Sequence, residues 1–88
     1  LHSNVTDALV VGIGSGITCG AILTHPEVER LDIVEISPEV HEAARIHFAP
    51  YNNRALEHPR SRVIIDDAKS FLKTGGRSYD VIVTEPSN

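Results

Sequence analysis

The chain has 88 residues, with 8 basic against 12 acidic side chains and a formal net charge of -4. That leaves room for one small domain with a modest core, and the scattering of its positive charge along the chain excludes a nucleic-acid footprint. The longest apolar stretch falls far below the roughly 20 residues of a membrane span, and Leu1 to Asp7 has neither the charge nor the apolar core of a signal peptide.

Ala8-Leu9-Val10-Val11 is short and uniformly apolar, which predicts a central parallel strand buried on both faces. Gly12-Ile13-Gly14-Ser15-Gly16 follows directly. Glycines there let the backbone turn sharply out of a strand and approach a ligand that any Cβ would push away. A dinucleotide fingerprint G-x-G-x-x-G would need glycine at position 17, where this chain has Ile17. The G-x-G-x-G register is instead the one used by folds that bind S-adenosylmethionine, which makes NAD the lesser option.

Ile17 to His25 is predicted as a helix stopped by Pro26. Cys19 lies within it as a small buried filler; a lone cysteine cannot form an internal disulfide and suits a reducing, cytoplasmic setting. Leu31 to Glu35 is the second strand, and a carboxylate at its tip can accept two hydrogen bonds from a ribose diol. Ser37-Pro38-Glu39 supplies an N-cap, a proline at the first helical position and an acid in the first turn. The second helix is therefore expected from Pro38 to about Phe48, with Val40, Ala43, Ala44, His47 and Phe48 facing inward.

Pro50 to Ser61 reads as one long irregular stretch, followed by a third strand over Arg62 to Ile65. Asp66-Asp67 opens a short helix through Leu72, with Asp67 a candidate N-cap and Asp66 capping or facing water, and Gly75-Gly76 ends it. Tyr79 to Thr84 is the fourth strand. His41 and His47 share a helix but not a metal-binding register, so no metal site is expected.

These elements alternate as an α/β, Rossmann-like, doubly wound parallel sheet of about four strands and three helices. In such sheets the ligand sits beyond the carboxyl ends of the strands, where strand order reverses. Residues 12 to 16, Glu35, Asp66-Asp67 and the stretch from Glu85 to Asn88 all fall at those ends.

Across almost its whole length the chain resembles the N-terminal half of the catalytic domain of spermidine synthases, a branch of the class I S-adenosylmethionine-dependent methyltransferase fold. The likeness is carried by Val10 to Gly16, His25 to Glu29, Val34 to Val40, Asp66 to Leu72 and Tyr79 to Asn88. Residues 1-88 are accordingly expected to be a single partial nucleoside-binding domain, truncated at both ends. Val10 stands two residues before the first glycine, where ordinary small-molecule methyltransferases usually carry an acid, and with His25-Pro26 it favours the polyamine-synthase branch.

The resemblance implies a donor, S-adenosylmethionine or its decarboxylated form, and a small-molecule amine or other nucleophile as acceptor. Gly12, Gly14 and Gly16, with Ser15 between them, would pass under the ribose and amino-acid-like part of the donor. Glu35, with Ile36 beside it, would hold the ribose hydroxyls. Asp67 would accept a hydrogen bond from the adenine amino group, next to the Ala68 backbone. Glu85 matches the acid that orients and deprotonates the attacking amine.

Two departures stand out. Ser15 replaces an aspartate of the family turn, and Glu85-Pro86-Ser87-Asn88 replaces acid-Ser-Ser-Asp, which removes two carboxylates that would pair with a polyamine. The latter ending looks like that of bacterial spermidine-synthase-like domains sometimes fused to membrane segments. Aminopropyl transfer is thus the leading expectation, with methyl transfer as the alternative and a non-catalytic nucleoside-binding domain as a second class. The resemblance leaves room for a homodimer of the full-length protein. Residues 1 to 88 alone would expose the fourth strand as a sheet edge, with poor solubility and no activity expected.

Overall fold

In the computed structural model, which describes residues 5-14, 16-52, 54-74 and 77-85, four parallel strands hydrogen-bond in the order β3-β2-β1-β4. They are β1 (Asp7–Val11), β2 (Arg30–Glu35), β3 (Ser61–Ile65) and β4 (Val81–Thr84). The connecting helices are α1 (Ile17–Leu23), α2 (Pro38–His47), a one-turn α3 (Ala49–Asn52) and α4 (Ala68–Thr74). The doubly wound α/β expectation is borne out. Register aligns the strand ends: Val11 lies opposite Val34 and Thr84, and Glu35 opposite Ile65. All strand-to-helix loops therefore leave from one rim. The chain steps outward from β1 to β2 to β3 and then returns to the far side of β1, so strand order reverses between β1 and β4.

The apolar runs segregate by strand parity. Ala8 and Val10 of β1 and Leu31 and Ile33 of β2 form one core with Ile13, Cys19, Ile22 and Val28, while Leu9 and Val34 point to the other face and meet Phe71 of α4. Leu9, Val10, Leu31, Ile33 and Cys19 are fully buried, as the uniformly apolar strand and the small filler anticipated. β4 is an edge strand, and its Ile82 remains 52% exposed.

Several boundaries differ from the sequence reading, each for a local reason. α1 ends at Leu23 rather than running to His25: the N–H of Thr24 turns back to Ala21 and that of His25 to Ile22, tightening the last turn. α1 has no basic residue in that turn. Arg60 supplies one from across the fold, its guanidinium donating to the carbonyls of Leu23, His25 and Val28.

The start of α2 is as expected, with Pro38 at the first helical position and the Ser37 hydroxyl accepting from the Val40 N–H at 3.2 Å. Its inward face is a correction. Among the named residues only Ala44 is fully buried, Val40 and Phe48 are 37% and 41% exposed, and His47 is exposed. The first turn of α2 stands over the rim rather than over the sheet, and Phe48 has already left helical geometry at the C-cap.

The stretch from Pro50 to Ser61 is not irregular throughout. It holds most of α3 and a 3-10 turn over Ala55–Glu57, and buries Ala55 and Leu56. Pro50 is tolerated because it sits in the first turn of α3, where no intrahelical N–H partner is needed. Arg54, with φ of 54°, reverses the chain and closes α3 through its N–H to Ala49.

α4 starts after Asp67, whose carbonyl accepts from the Phe71 N–H, and extends past Leu72 to Thr74; Gly75 and Gly76 lie outside the described residues. β4 begins at Val81 rather than Tyr79 because side-chain bonds hold the two preceding residues. The Asp80 carboxylate accepts from the backbone of Thr6 and Asp7 and from the Thr6 hydroxyl. The Tyr79 hydroxyl donates at 2.6 Å to Asp32.

Asp32 is only 2% exposed and also accepts from Arg62 and Arg77. Burial by itself would raise its pKa, but the Arg62 and Tyr79 hydrogen bonds and the charges of Arg62 and Arg77 overcome it and hold the carboxyl below its ordinary range. The Asp80 pKa is lowered as well, by the Asp7 and Thr6 N–H groups and the Thr6 hydroxyl.

A depressed folded-state pKa contributes stability that is present above the unfolded value, about 4, and lost as pH falls through the folded value. Denaturant midpoints should therefore be flat above about pH 5 and fall steeply below about pH 4, and Asp80→Asn should flatten that fall. Replacing Arg60 by Met should cost about 2–3 kcal/mol in urea melts, from carbonyls left without a charged donor.

Candidate functional site

The loop after β1 continues the sheet for one residue before it departs, since the Gly12 N–H donates to the Val34 carbonyl at 2.8 Å. Gly12 then takes φ of +88°, and a Cβ there would lie 3.1 Å from the Glu85 carbonyl oxygen. The turn after β1 and the turn after β4 thus touch backbone to backbone, which any side chain at position 12 would prevent. Gly14 has φ of +56° and nothing within 4 Å of an added Cβ, because it faces open space above the rim. Ile13 between them is fully buried and plugs the loop into the core. Gly16 is buried at the N-cap of α1, its N–H bonded to the Ile13 carbonyl. Ser15 lies outside the described residues.

Glu35 ends β2 with 7% exposure. One carboxylate oxygen accepts from the Ile13 N–H at 2.8 Å and the other from the Ser37 N–H at 3.0 Å. A buried carboxylate must find donors; this one finds them in the loops that leave β1 and β2 and ties the two together. Each oxygen keeps a further acceptor site for a ligand hydroxyl.

On the β3 side, the Asp66 N–H donates to the Glu35 carbonyl and the Asp66 carboxylate accepts from the Asp67 N–H at 2.8 Å. Asp67 caps α4 through its backbone carbonyl, while its carboxylate, exposed, accepts from the Ser70 hydroxyl at 3.2 Å.

These loops enclose a cleft of about 540 Å³, within the range of small-molecule and cofactor sites. Gly12, Gly14, Glu35 and Ile36 line it, as do Asp67, Ala68 and Glu85. Seven of the residues singled out in the sequence thus converge on one space, while Gly16 sits behind it and shapes the turn. Sequence reasoning did not place Val11, Val34, Val40 and Thr84 there, and Asp66, put at the strand ends but expected to cap or face water, lines the cleft as well. Strand parity could have found Val11 and Val34, the last apolar residues of adjacent strands on the α4 face. Val40 required knowing where α2 enters.

The polar lining is one-sided. Glu35, Asp66, Asp67 and Glu85 contribute carboxylates, and no lysine, arginine or histidine is among the described lining residues. Glu85 is half-buried and hydrogen-bonded through its N–H to Val11. Burial, and then the nearby Glu85 charge, push the Cys19 thiol up to about 12, so it stays protonated behind the site. Such a cleft favours a cationic occupant. Pro86, Ser87 and Asn88 lie outside the described residues.

Comparison with known proteins bears on the family and the fold. A polyamine aminopropyltransferase of Clostridium tetani is 34% identical over 87 residues, covering 99% of this chain and 31% of that protein. The crystal structure of spermidine synthase from Thermotoga maritima superposes with a TM-score of 0.88 at 26% identity, covering 99% of this chain and 30% of that one. A spermidine synthase in complex with the transition state analogue AdoDATO matches equally well, with a TM-score of 0.88 at 26% identity over 99% of this chain and 29% of the other. The chain therefore spans less than a third of the length of these relatives. All of its residues, 1–88, match the profile described as the spermine/spermidine synthase domain, and the chain belongs to that family.

Proposed function

We propose that this chain forms the donor-binding half of an aminopropyltransferase, which takes decarboxylated S-adenosylmethionine and passes its aminopropyl group to a small amine. The observation that carries the reading is the cleft itself: a buried carboxylate bridging two loops, with four acids and no lysine, arginine or histidine among the described lining residues. The decarboxylated donor carries a sulfonium and an ammonium and no carboxylate, so its charges suit this lining. S-adenosylmethionine would bring a further carboxylate into a cleft whose described lining already holds four, which disfavours methyl transfer. The names of the relatives above support the same donor class.

In this reading the ribose hydroxyls donate to the free acceptor sites of Glu35, the adenine edge lies against Asp67 and Ala68, and Ile36 packs on the base. The glycine loop lets the donor chain pass close to the backbone. The attacking amine forms a bond to the aminopropyl carbon next to sulfur as the C–S bond breaks. The bond pair stays on sulfur and yields neutral methylthioadenosine. The amine nitrogen loses a proton to Glu85, which stands beside Gly12 on the other side of the strand-order reversal. Because the sulfonium is already activated, alignment and proton removal are what the protein must supply.

The free Cys19 thiol suits a reducing, cytoplasmic setting, and no helix among the described residues is long and apolar enough to cross a membrane.

Full-length protein incubated with decarboxylated donor and putrescine should release methylthioadenosine, measured by chromatography. Donor binding without turnover would favour a non-catalytic nucleoside-binding domain, and no binding of either nucleoside would refute the reading. Glu85→Gln should lower kcat by about 10²–10⁴-fold, since it removes the proton acceptor, while leaving donor affinity within about threefold.

Glu35→Gln should act even without ligand. An amide offers one acceptor oxygen where two N–H groups need one each, so unfolding should cost about 1–3 kcal/mol less, and donor affinity by calorimetry should fall at least about tenfold.

A further inference from the structure

Asp32 has no task in the reaction above, yet it is the most deeply buried charged side chain among the described residues. It sits in the middle of β2 and points to the face covered by α4, where Phe71 packs on Leu9 and Val34 with Ala68 and Tyr79 beside them. Its Oδ1 accepts from Arg62 Nε at 3.2 Å. Its Oδ2 accepts from Arg62 Nη2 at 3.1 Å, Arg77 Nη1 at 2.9 Å and the Tyr79 hydroxyl at 2.6 Å. Arg62 belongs to β3, but Arg77 and Tyr79 lie on the segment that brings the chain back from α4 to β4. One carboxylate thus pins the far end of the α4 crossover to the centre of the sheet.

The near end of that crossover is the cleft. Asp67 and Ala68, at the entry and first residue of α4, line it. α4 has seven residues, about 10 Å of helix, so it moves as one short rod, and the Tyr79 ring that Asp32 holds packs against the same apolar cluster as Phe71 of that rod, which couples a shift of Tyr79 to Asp67. The Phe71 contact is apolar and non-directional and would allow the rod to slide or tilt. The hydrogen bond from Tyr79 to a single fixed carboxylate instead fixes the ring that packs beside it.

We propose that Asp32 is a positioning residue of the nucleoside site, which sets the angle of α4 across the sheet through Tyr79 and Arg77 and thereby places Asp67 and Ala68. The proposal rests on the reading of the cleft as a nucleoside site. A buried carboxylate must keep its donors, so the segment that carries Tyr79 and Arg77 is held to one place on the sheet, which is what a recognition wall built on a one-rod crossover requires.

The test uses full-length protein with Tyr79→Phe, which removes one bond and keeps the ring, and Asp32→Asn as the stronger variant; should the latter fail to fold, Tyr79→Phe alone decides. The probe is methylthioadenosine, titrated at 25 °C, well below the melting temperature of the variant used. Its Kd should rise about fivefold in Tyr79→Phe. Amide exchange of the ligand-free protein should quicken at Phe71, whose N–H is bonded to the Asp67 carbonyl, and stay unchanged at Val40 in α2.

A lower melting temperature with the Kd and the Phe71 exchange both unchanged would make Asp32 merely structural and overturn the proposal. Failure of the unsubstituted protein to bind methylthioadenosine would refute the nucleoside reading, and with it the role of Asp32 in recognition. The exchange measurement would still report whether Asp32 governs α4.

Discussion

The site depends on one carboxylate with two obligations. Glu35 is nearly buried at the end of β2, where an unpartnered carboxyl would be costly, and its two oxygens take the N–H groups of Ile13 and Ser37. Those N–H groups belong to different loops leaving different strands, so the same bonds that satisfy the acid fuse the loops into one wall. The glycine loop needs this. With positive φ at Gly12, Gly14 and Gly16 it leaves the strand with little regular hydrogen bonding of its own, and a directional tie to β2 keeps it open instead of letting it collapse over the rim.

Charge is partitioned across the molecule in a way that serves the cleft. The arginines are committed elsewhere: Arg62 and Arg77 to Asp32, Arg60 to the carbonyls at the end of α1, Arg30 to Asp7 and Arg45 to Glu42. The exposed pairs among these contribute little stability. Among the described residues that line the cleft there is no lysine, arginine or histidine, so the fields of Glu35, Asp66, Asp67 and Glu85 add across the rim. Two regions of the sheet thus differ: the buried Asp32 gathers arginines in the middle of β2, and the acids at the carboxyl-end rim line the cleft.

Much of this was legible because it follows from short-range chemistry. Ser37-Pro38 marks a helix start by its own bonding options, and the helix begins there. The uniformly apolar run of β1 foretold a strand buried on both faces. The readings that failed involve partners far along the chain. Tyr79 has every local reason to extend β4, but its hydroxyl meets Asp32, 47 positions away in sequence. Val40 and Phe48 fit an apolar helix stripe, yet Ala44 is the one fully buried residue of α2. The stretch from Pro50 read as irregular because the place of Pro50 within α3 depends on how Arg54 turns the chain.

The sequence by itself determined the order of elements, the parallel sheet, the glycine turn and the identity of the residues at the strand tips, because these rest on backbone conformation and apolar periodicity within a few neighbours. Only the tertiary structure decided that Glu35 reaches back to Ile13, that the turn after β4 lies against Gly12, and that Asp32 gathers Arg62, Arg77 and Tyr79. The reason is physical. A buried polar group is satisfied by whichever donors the packing of separate strands brings within reach, and no local pattern specifies which those are.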